Sequence, residues 1–146
     1  LGNPKAFPFT KPKVDGLNFS FSGLKTQILY FVQKKVAENE NFITENLNDI
    51  CASIQYTIIE ILMDKLKLAV AETGINQITI GGGVSANSGI RNTLKEAESK
   101  YGWKTYIPKF EYTTDNAAMI GIVGYYNFLE ENFSTSDVVS KARIEF

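Results

Sequence analysis

Between Ile75 and Asn87 the sequence reads INQITIGGGVSAN: a short β-branched run stops on three glycines and a helix starts shortly after. A strand that passes straight through a glycine turn into a helix is the repeating unit of α/β proteins. The flanking segments obey the same alternation. Upstream, Ile50, Ile54, Ile58, Ile61, Leu62, Leu66 and Ala69 recur at helical spacing over about five turns and stop at Gly74. Downstream, Ile90, Leu94, Ala97 and Tyr101 mark a helix closing at Gly102, WKTYIP a second strand, and TTDNAAMIGIVGYYNFLEE a last helix. Nearer the start, LNFSFSG (17–23) alternates with period two and is predicted to be a strand. Leu24, Ile28, Phe31, Val32 and Val36 follow it as a helix. No internal repeat or low-complexity tract interrupts the series.

Short links between strands and helices predict a mostly parallel sheet with helices packed on it and ligands at the carboxyl ends of the strands. INQITI is a nearly continuous β-branched run, which predicts a strand buried on both faces, and WKTYIP is read as a second buried strand. Two loops then stand out, Gly81–Asn87 and Glu111–Asn116, each following a strand. Bare glycine N–H groups, with Ser85 or Asn87 capping the next helix, form a receptive place for phosphate or another anion. Asn87 adds an amide that both donates and accepts. The same spacing also suits a plain strand-to-helix turn in which Asn87 only caps the helix, and both readings stand. In the second loop Asp115 is either the cap of the last helix or a carboxylate facing the same cleft as Asn87. That helix keeps Ala117, Gly121 and Gly124 on one face, so something flat is expected against it, a neighbouring helix or the ring of a nucleotide.

The formal charge of −1 excludes a strong basic field for nucleic acid, so any RNA partner has to be held locally or by another part of the protein. The single cysteine, Cys51, excludes an internal disulfide framework, suits a cytoplasmic protein, and is expected to be buried beside the apolar stripe. No apolar run reaches the length of a membrane span. The chain opens without methionine, as an excised piece would. Its 146 residues contain no histidine, so chemistry here relies on carboxylates, hydroxyls and backbone amides, or on histidines located elsewhere. Ser20 and Ser22 are read as turn formers rather than a polar lip of the cleft. Lys5, Lys11, Lys13 and Lys25 are read as solvated surface rather than RNA contacts.

Four stretches, GNPKAFPFTKPKVDGLNFSFSGLKT, DICASIQYTIIEIL, IGGGVSANSGIRNTL and YTTDNAAMIGIVGYY, occur in this order. Together they resemble the C-terminal part of the bacterial TsaD family, tRNA N6-adenosine threonylcarbamoyltransferases formerly described as O-sialoglycoprotein endopeptidases or glycoproteases. The resemblance implies an actin-like ATPase fold of two ribonuclease-H-like lobes. Residues 1–146 would be the second lobe, with a mixed sheet, and the N-terminal lobe would lie outside this chain. It implies transfer of threonylcarbamoyl from threonylcarbamoyl-adenylate to N6 of the adenosine beside the tRNA anticodon. Its partners would be tRNA, a paralogous actin-like-fold subunit and a small ATPase subunit.

By position in the motifs, Asn87 would contact the adenylate. Gly81, Gly82, Gly83 and Ser85 would lie along the nucleotide, and Asp115 would complete an iron or zinc site. The metal would polarise substrate oxygens during attack by the adenine amino group. The family's two histidine ligands belong to the other lobe. One aspartate cannot hold a transition metal against water, so the 146 residues alone are expected to be inactive and to bind metal poorly. Thr113 stands where many relatives carry cysteine, a change expected to affect only packing.

Three other classes remain. A kinase of the same superfold also uses a glycine-rich loop after a strand. A catalytically dead actin-like partner would dimerise through helices such as the last one. The older peptidase description lacks support, because there is no His-Glu-x-x-His helix.

Overall fold

The computed structural model describes residues 2–139. Four helices and two strands follow in the order α1 (Leu24–Glu38), α2 (Phe42–Thr73), β1 (Gln77–Thr79), α3 (Ser88–Tyr101), β2 (Lys104–Tyr106) and α4 (Ala117–Leu129), with single 3-10 turns at Gly83–Ala86 and Phe110–Tyr112. The chain is thus α/β with a small parallel sheet. Among the described residues no helix is long and apolar enough to cross a membrane.

Helix α2 is the axis. At 32 residues it runs for about 48 Å, and it buries apolar side chains in two separate cores. In one, Met63 meets Ile78 of β1, Ile90, Leu94 and Ala97 of α3, and Trp103, with Ile59, Leu62, Leu66 and Val70 packed around them. In the other, Ile61 meets Phe9 and Leu24, flanked by Phe7, Ile28, Phe31, Ile54 and Ile58. Leu94 retains only 1% exposure, so truncating it to alanine would cost about 2–5 kcal/mol. The apolar stripe from Ile50 to Ala69 is therefore split between two neighbours.

The second core is closed by the segment preceding α1, which lies as a strap along α2. The amide of Asn3 donates to Asp49 Oδ1 at 2.7 Å, that of Phe7 to Ser53 Oγ at 3.2 Å, and that of Thr10 to Gln27 Oε1 at 3.0 Å. Lys11 pairs with Asp64 and, at 3.7 Å, with Glu60, which holds its ammonium above the ordinary lysine pKa through the hydrogen bond to Asp64. Lys65 donates to the carbonyls of Val14, at 2.6 Å, and Gly16. Phe7 and Phe9 stand 5.2 and 5.4 Å from Phe31, ring centre to ring centre, a favourable aromatic spacing.

The strands β1 and β2 pair in parallel, Gln77 with Lys104, Ile78 with Thr105 and Thr79 with Tyr106, through the α3 crossover. Burial on both faces is not observed. Residues Gln77 to Ile80 alternate polar and apolar, and both α2 and α3 join the core that Ile78 enters, so the described residues cover only one side. On the open side the Tyr106 hydroxyl donates to Gln77 Oε1 at 3.2 Å, and Lys104 Nζ stands 5.4 Å from the Tyr106 ring centre.

The stretch 17–23 is not a strand. Leu17, Phe19 and Phe21 are exposed, the Ser22 amide turns back to Ser20 Oγ at 3.1 Å, and no strand lies alongside among the described residues. Alternation reports two distinct faces but not a pairing partner. The antiparallel members of a mixed sheet are accordingly not found among the described residues, whose sheet is wholly parallel. Helix α4 has no buried residue, and beyond its own backbone no described residue comes within 4 Å of a Cβ built on Gly121 or Gly124. The flat neighbour expected against that face is not among the described residues.

Candidate functional site: two loops at one end of the sheet

Because β1 and β2 are parallel neighbours, the loops that follow them leave the sheet at the same end. The last ladder bond runs from Ile80 N to Tyr106 O at 3.2 Å. Beyond it the first loop turns at Gly82, whose φ of 73° favours glycine. Apart from its immediate chain neighbours, no atom of the described residues comes within 4 Å of a Cβ placed on Gly81, Gly82 or Gly83, so the bare backbone faces open space there. Conformation explains glycine at Gly82. Nothing among the described residues explains it at Gly81 or Gly83.

Ser85 is buried at 2% exposure, and its hydroxyl donates to the Gly82 carbonyl at 2.7 Å, closing the turn. It does not cap α3. Asn87 does, with Oδ1 accepting from Ile90 N at 3.1 Å. Its Nδ2 donates to Gln55 Oε1 on α2 at 3.2 Å, so the amide caps the helix and has, among the described residues, one N–H left for a ligand. A Cβ on Gly89 would meet Ile59 Cδ1 at 2.8 Å, Gln55 Nε2 at 2.9 Å and Asn87 Oδ1 at 3.1 Å. Glycine here lets α3 start against α2 with Asn87 and Gln55 in register.

The second loop passes Pro108 and the turn Phe110–Tyr112 to Thr113. Thr113 is 1% exposed, and its hydroxyl donates to Phe110 O at 2.7 Å. Asp115 is exposed and does not cap α4. The neighbouring Asn116 takes that role, accepting from Met119 N at 3.1 Å and donating to Thr114 O at 2.8 Å. An amide oxygen caps as well as a carboxylate, which leaves the Asp115 side chain without a hydrogen-bond or ion-pair partner among the described residues. Among those residues no group of three or more His, Cys, Asp or Glu is arranged to hold a metal.

One side chain joins the loops. Arg91 donates from Nη1 to Ser85 O at 2.8 Å and from Nη2 to Pro108 O at 2.7 Å. The glycines, Ser85 and Asn87 thus share one loop, tied to the base of the loop that carries Asp115. Beneath Asn87 lies a cavity of about 240 Å³ lined by Cys51, Ile54, Gln55, Ile58, Ile59, Asn87 and Ile90; Asp115 does not reach it. Cys51 is exposed there rather than buried, because the apolar stripe of α2 passes beside it.

Sequence reasoning missed Gln55, Gly89 and Arg91. Gln55 was visible as a polar break within IQYTII. Arg91 was visible as a cation in the first turn of a helix, where the macrodipole disfavours it. Gly89 gave no signal, since the residue it must avoid lies on another helix.

The model of the TsaD family, tRNA N6-adenosine threonylcarbamoyltransferase, matches residues 1–122. A protein of that name from Christiangramia forsetii is 65% identical over 145 residues, covering 99% of this chain and 43% of the relative. One from Riemerella anatipestifer is 52% identical over 144 residues, covering 99% of this chain and 42% of the relative. A more distant relative from Syntrophotalea carbinolica is 40% identical over 125 residues, 84% of this chain and 36% of its own length. The chain therefore spans less than half the length of the curated relatives it matches. It belongs to the TsaD family.

Proposed function

We propose that these residues form one wall of a tRNA threonylcarbamoyladenosine-forming transferase, which moves threonylcarbamoyl from threonylcarbamoyl-adenylate to N6 of the adenosine beside the anticodon. Family membership supports the chemistry. The single structural observation that favours it is the pair of loops at one end of the sheet, the first offering bare glycine backbone and Asn87, the second an uncommitted Asp115. The glycine N–H groups and the start of α3 would receive the phosphate of the adenylate. The remaining N–H of Asn87 would fix its orientation.

The residues present do not fit a metal by themselves: the sequence has no histidine, and Asp115 stands alone. Asp115 would be one ligand of an iron or zinc site completed by residues beyond these 146, in the larger part of the length that the relatives have and this chain does not cover. By the same reasoning the paralogous subunit, the small ATPase subunit and most tRNA contacts would engage the intact protein, in the cytoplasm. These residues alone would be inactive.

The test is reconstitution. The intact protein with tRNA and synthetic threonylcarbamoyl-adenylate should yield the modified nucleoside by mass spectrometry. Phosphorylation of a small substrate with consumption of ATP would instead favour a kinase of the same superfold. A stoichiometric partner role with no turnover would favour a catalytically dead subunit.

A further inference from the structure

We infer that Arg91 is a positioning residue that sets the spacing between the Asn87 loop and the Asp115 loop. This rests on the reading of the site just given and goes beyond it, since neither motif spacing nor family resemblance assigns Arg91 a part.

Three observations carry it. Past the Ile80–Tyr106 ladder bond, the backbone bonds among the described residues close within each loop: Ser85 N to Gly82 O and Asn87 N to Val84 O in the first, Tyr112 N to Lys109 O and Thr113 N to Phe110 O in the second. The guanidinium of Arg91 is what crosses the gap, with 2.8 Å to Ser85 O and 2.7 Å to Pro108 O. Ser85 lies two residues before Asn87, and Pro108 begins the segment that ends at Asp115.

Second, the geometry suits arginine better than lysine. The two acceptors lie on different loops and each takes its own nitrogen of one rigid plane, whereas a lysine would have to reach both from a single ammonium, as Lys65 does only for two carbonyls of one segment. Third, the charge is in an unfavourable place. Arg91 sits in the first turn of α3 and has no carboxylate partner among the described ion pairs. A cation at the positive end of a helix dipole is disfavoured. The two loop carbonyls supply what compensates it.

If one loop holds the adenylate and the other a ligand of the reacting centre, a fixed separation matters most when both engage the same transition state. Misplacement by about 1 Å can cost roughly a hundred-fold in rate.

The experiment uses the intact protein with Arg91→Gln and Arg91→Lys, measuring steady-state transfer to tRNA, thermal unfolding, and amide hydrogen exchange. The expected result is faster exchange in both Gly81–Ser85 and Lys109–Thr113 for Arg91→Gln. Its kcat should fall by about ten- to a hundred-fold with KM for tRNA little changed. Arg91→Lys should restore at most one loop and leave kcat depressed; should Arg91→Gln fail to fold, this variant carries the test. Unchanged exchange in either loop, or kcat per folded molecule equal to wild type despite a lowered melting temperature, would overturn the inference and leave Arg91 a merely structural residue. Absence of transfer by the wild-type protein would sink the proposed function instead, with the two-loop exchange pattern still deciding the clamp.

Discussion

The side-chain nitrogen of Asn87 lies 3.2 Å from Oε1 of Gln55, while its oxygen caps α3 at 3.1 Å from Ile90 N. Capping is therefore separable at one residue from the ligand orientation proposed for it. Asn87→Asp keeps a capping oxygen and loses the donor, so the melting temperature should hold while adenylate affinity falls. Asn87→Ala should lose both, with about 1 kcal/mol of stability from the cap. Calorimetric titration with a non-hydrolysable adenylate analogue, beside thermal unfolding, separates the two. Equal affinity of Asn87→Asp and wild type would confine Asn87 to the cap.

Gly89 tests the same contact from the other side. Adding a methyl group would push on Ile59 Cδ1 and Gln55 Nε2, both ends of flexible side chains. Stability of Gly89→Ala should therefore stay within about 1 kcal/mol of wild type, the helix-propensity gain offsetting the shift. Gln55 should nevertheless leave Asn87, and adenylate binding should weaken. Unfolding curves and titration of the same sample check both halves.

Much of this organisation was legible in the sequence, and the reasons differ from place to place. The stripe from Ile50 to Ala69 declared α2 because helical periodicity is local. Ile78 and Ile80 declared β1, and Gly74 and Gly102 marked where α2 and α3 stop. The face count of β1 is also present, in the polar Gln77 and Thr79, but the β-branched continuity of the run masks it. What failed was non-local. Residues 17–23 alternate like a strand without a strand beside them. The cap of α4 fell to Asn116 rather than Asp115, a choice of one position that spacing cannot make. Gln55 and Arg91 matter through atoms on other elements, which no window of sequence shows.

The strap over the second core could not be read from any window of sequence, because the groups it joins, Phe7 and Asn3 to Ser53, stand 46 and 50 positions apart. Ser53 is fully buried, accepts from Phe7 N at 3.2 Å and donates to Asn3 O at 3.3 Å. Ser53→Ala leaves the Phe7 amide unpaired, at a cost of about 1–3 kcal/mol. Trypsin should then cut faster after Lys5. An unaltered cleavage rate would mean that Phe7 and Phe9 hold the strap without it.

Glu98 gives α3 and β2 a pH-dependent link. Its carboxylate accepts from the hydroxyl and, at 3.0 Å, the amide of Thr105, which lowers its pKa below the ordinary glutamate value, the hydroxyl contributing most. A lowered folded-state pKa means the contribution is present above the unfolded value, about 4.3, and is lost as pH falls through the lowered one. The difference in melting temperature between wild type and Glu98→Ala should be constant near neutral pH and shrink below about pH 4.3. A difference independent of pH would show that the carboxylate charge has no part in the contact.

The decisive measurement is the amount of threonylcarbamoyl-modified adenosine obtained with the intact protein when Asp115 is replaced by alanine. Asp115 is exposed and has no partner among the described residues, so the variant should fold as the wild type does, and the modified nucleoside should fall to background in mass spectra of digested tRNA. Wild-type levels of product from Asp115→Ala would contradict the shared site at the end of the sheet.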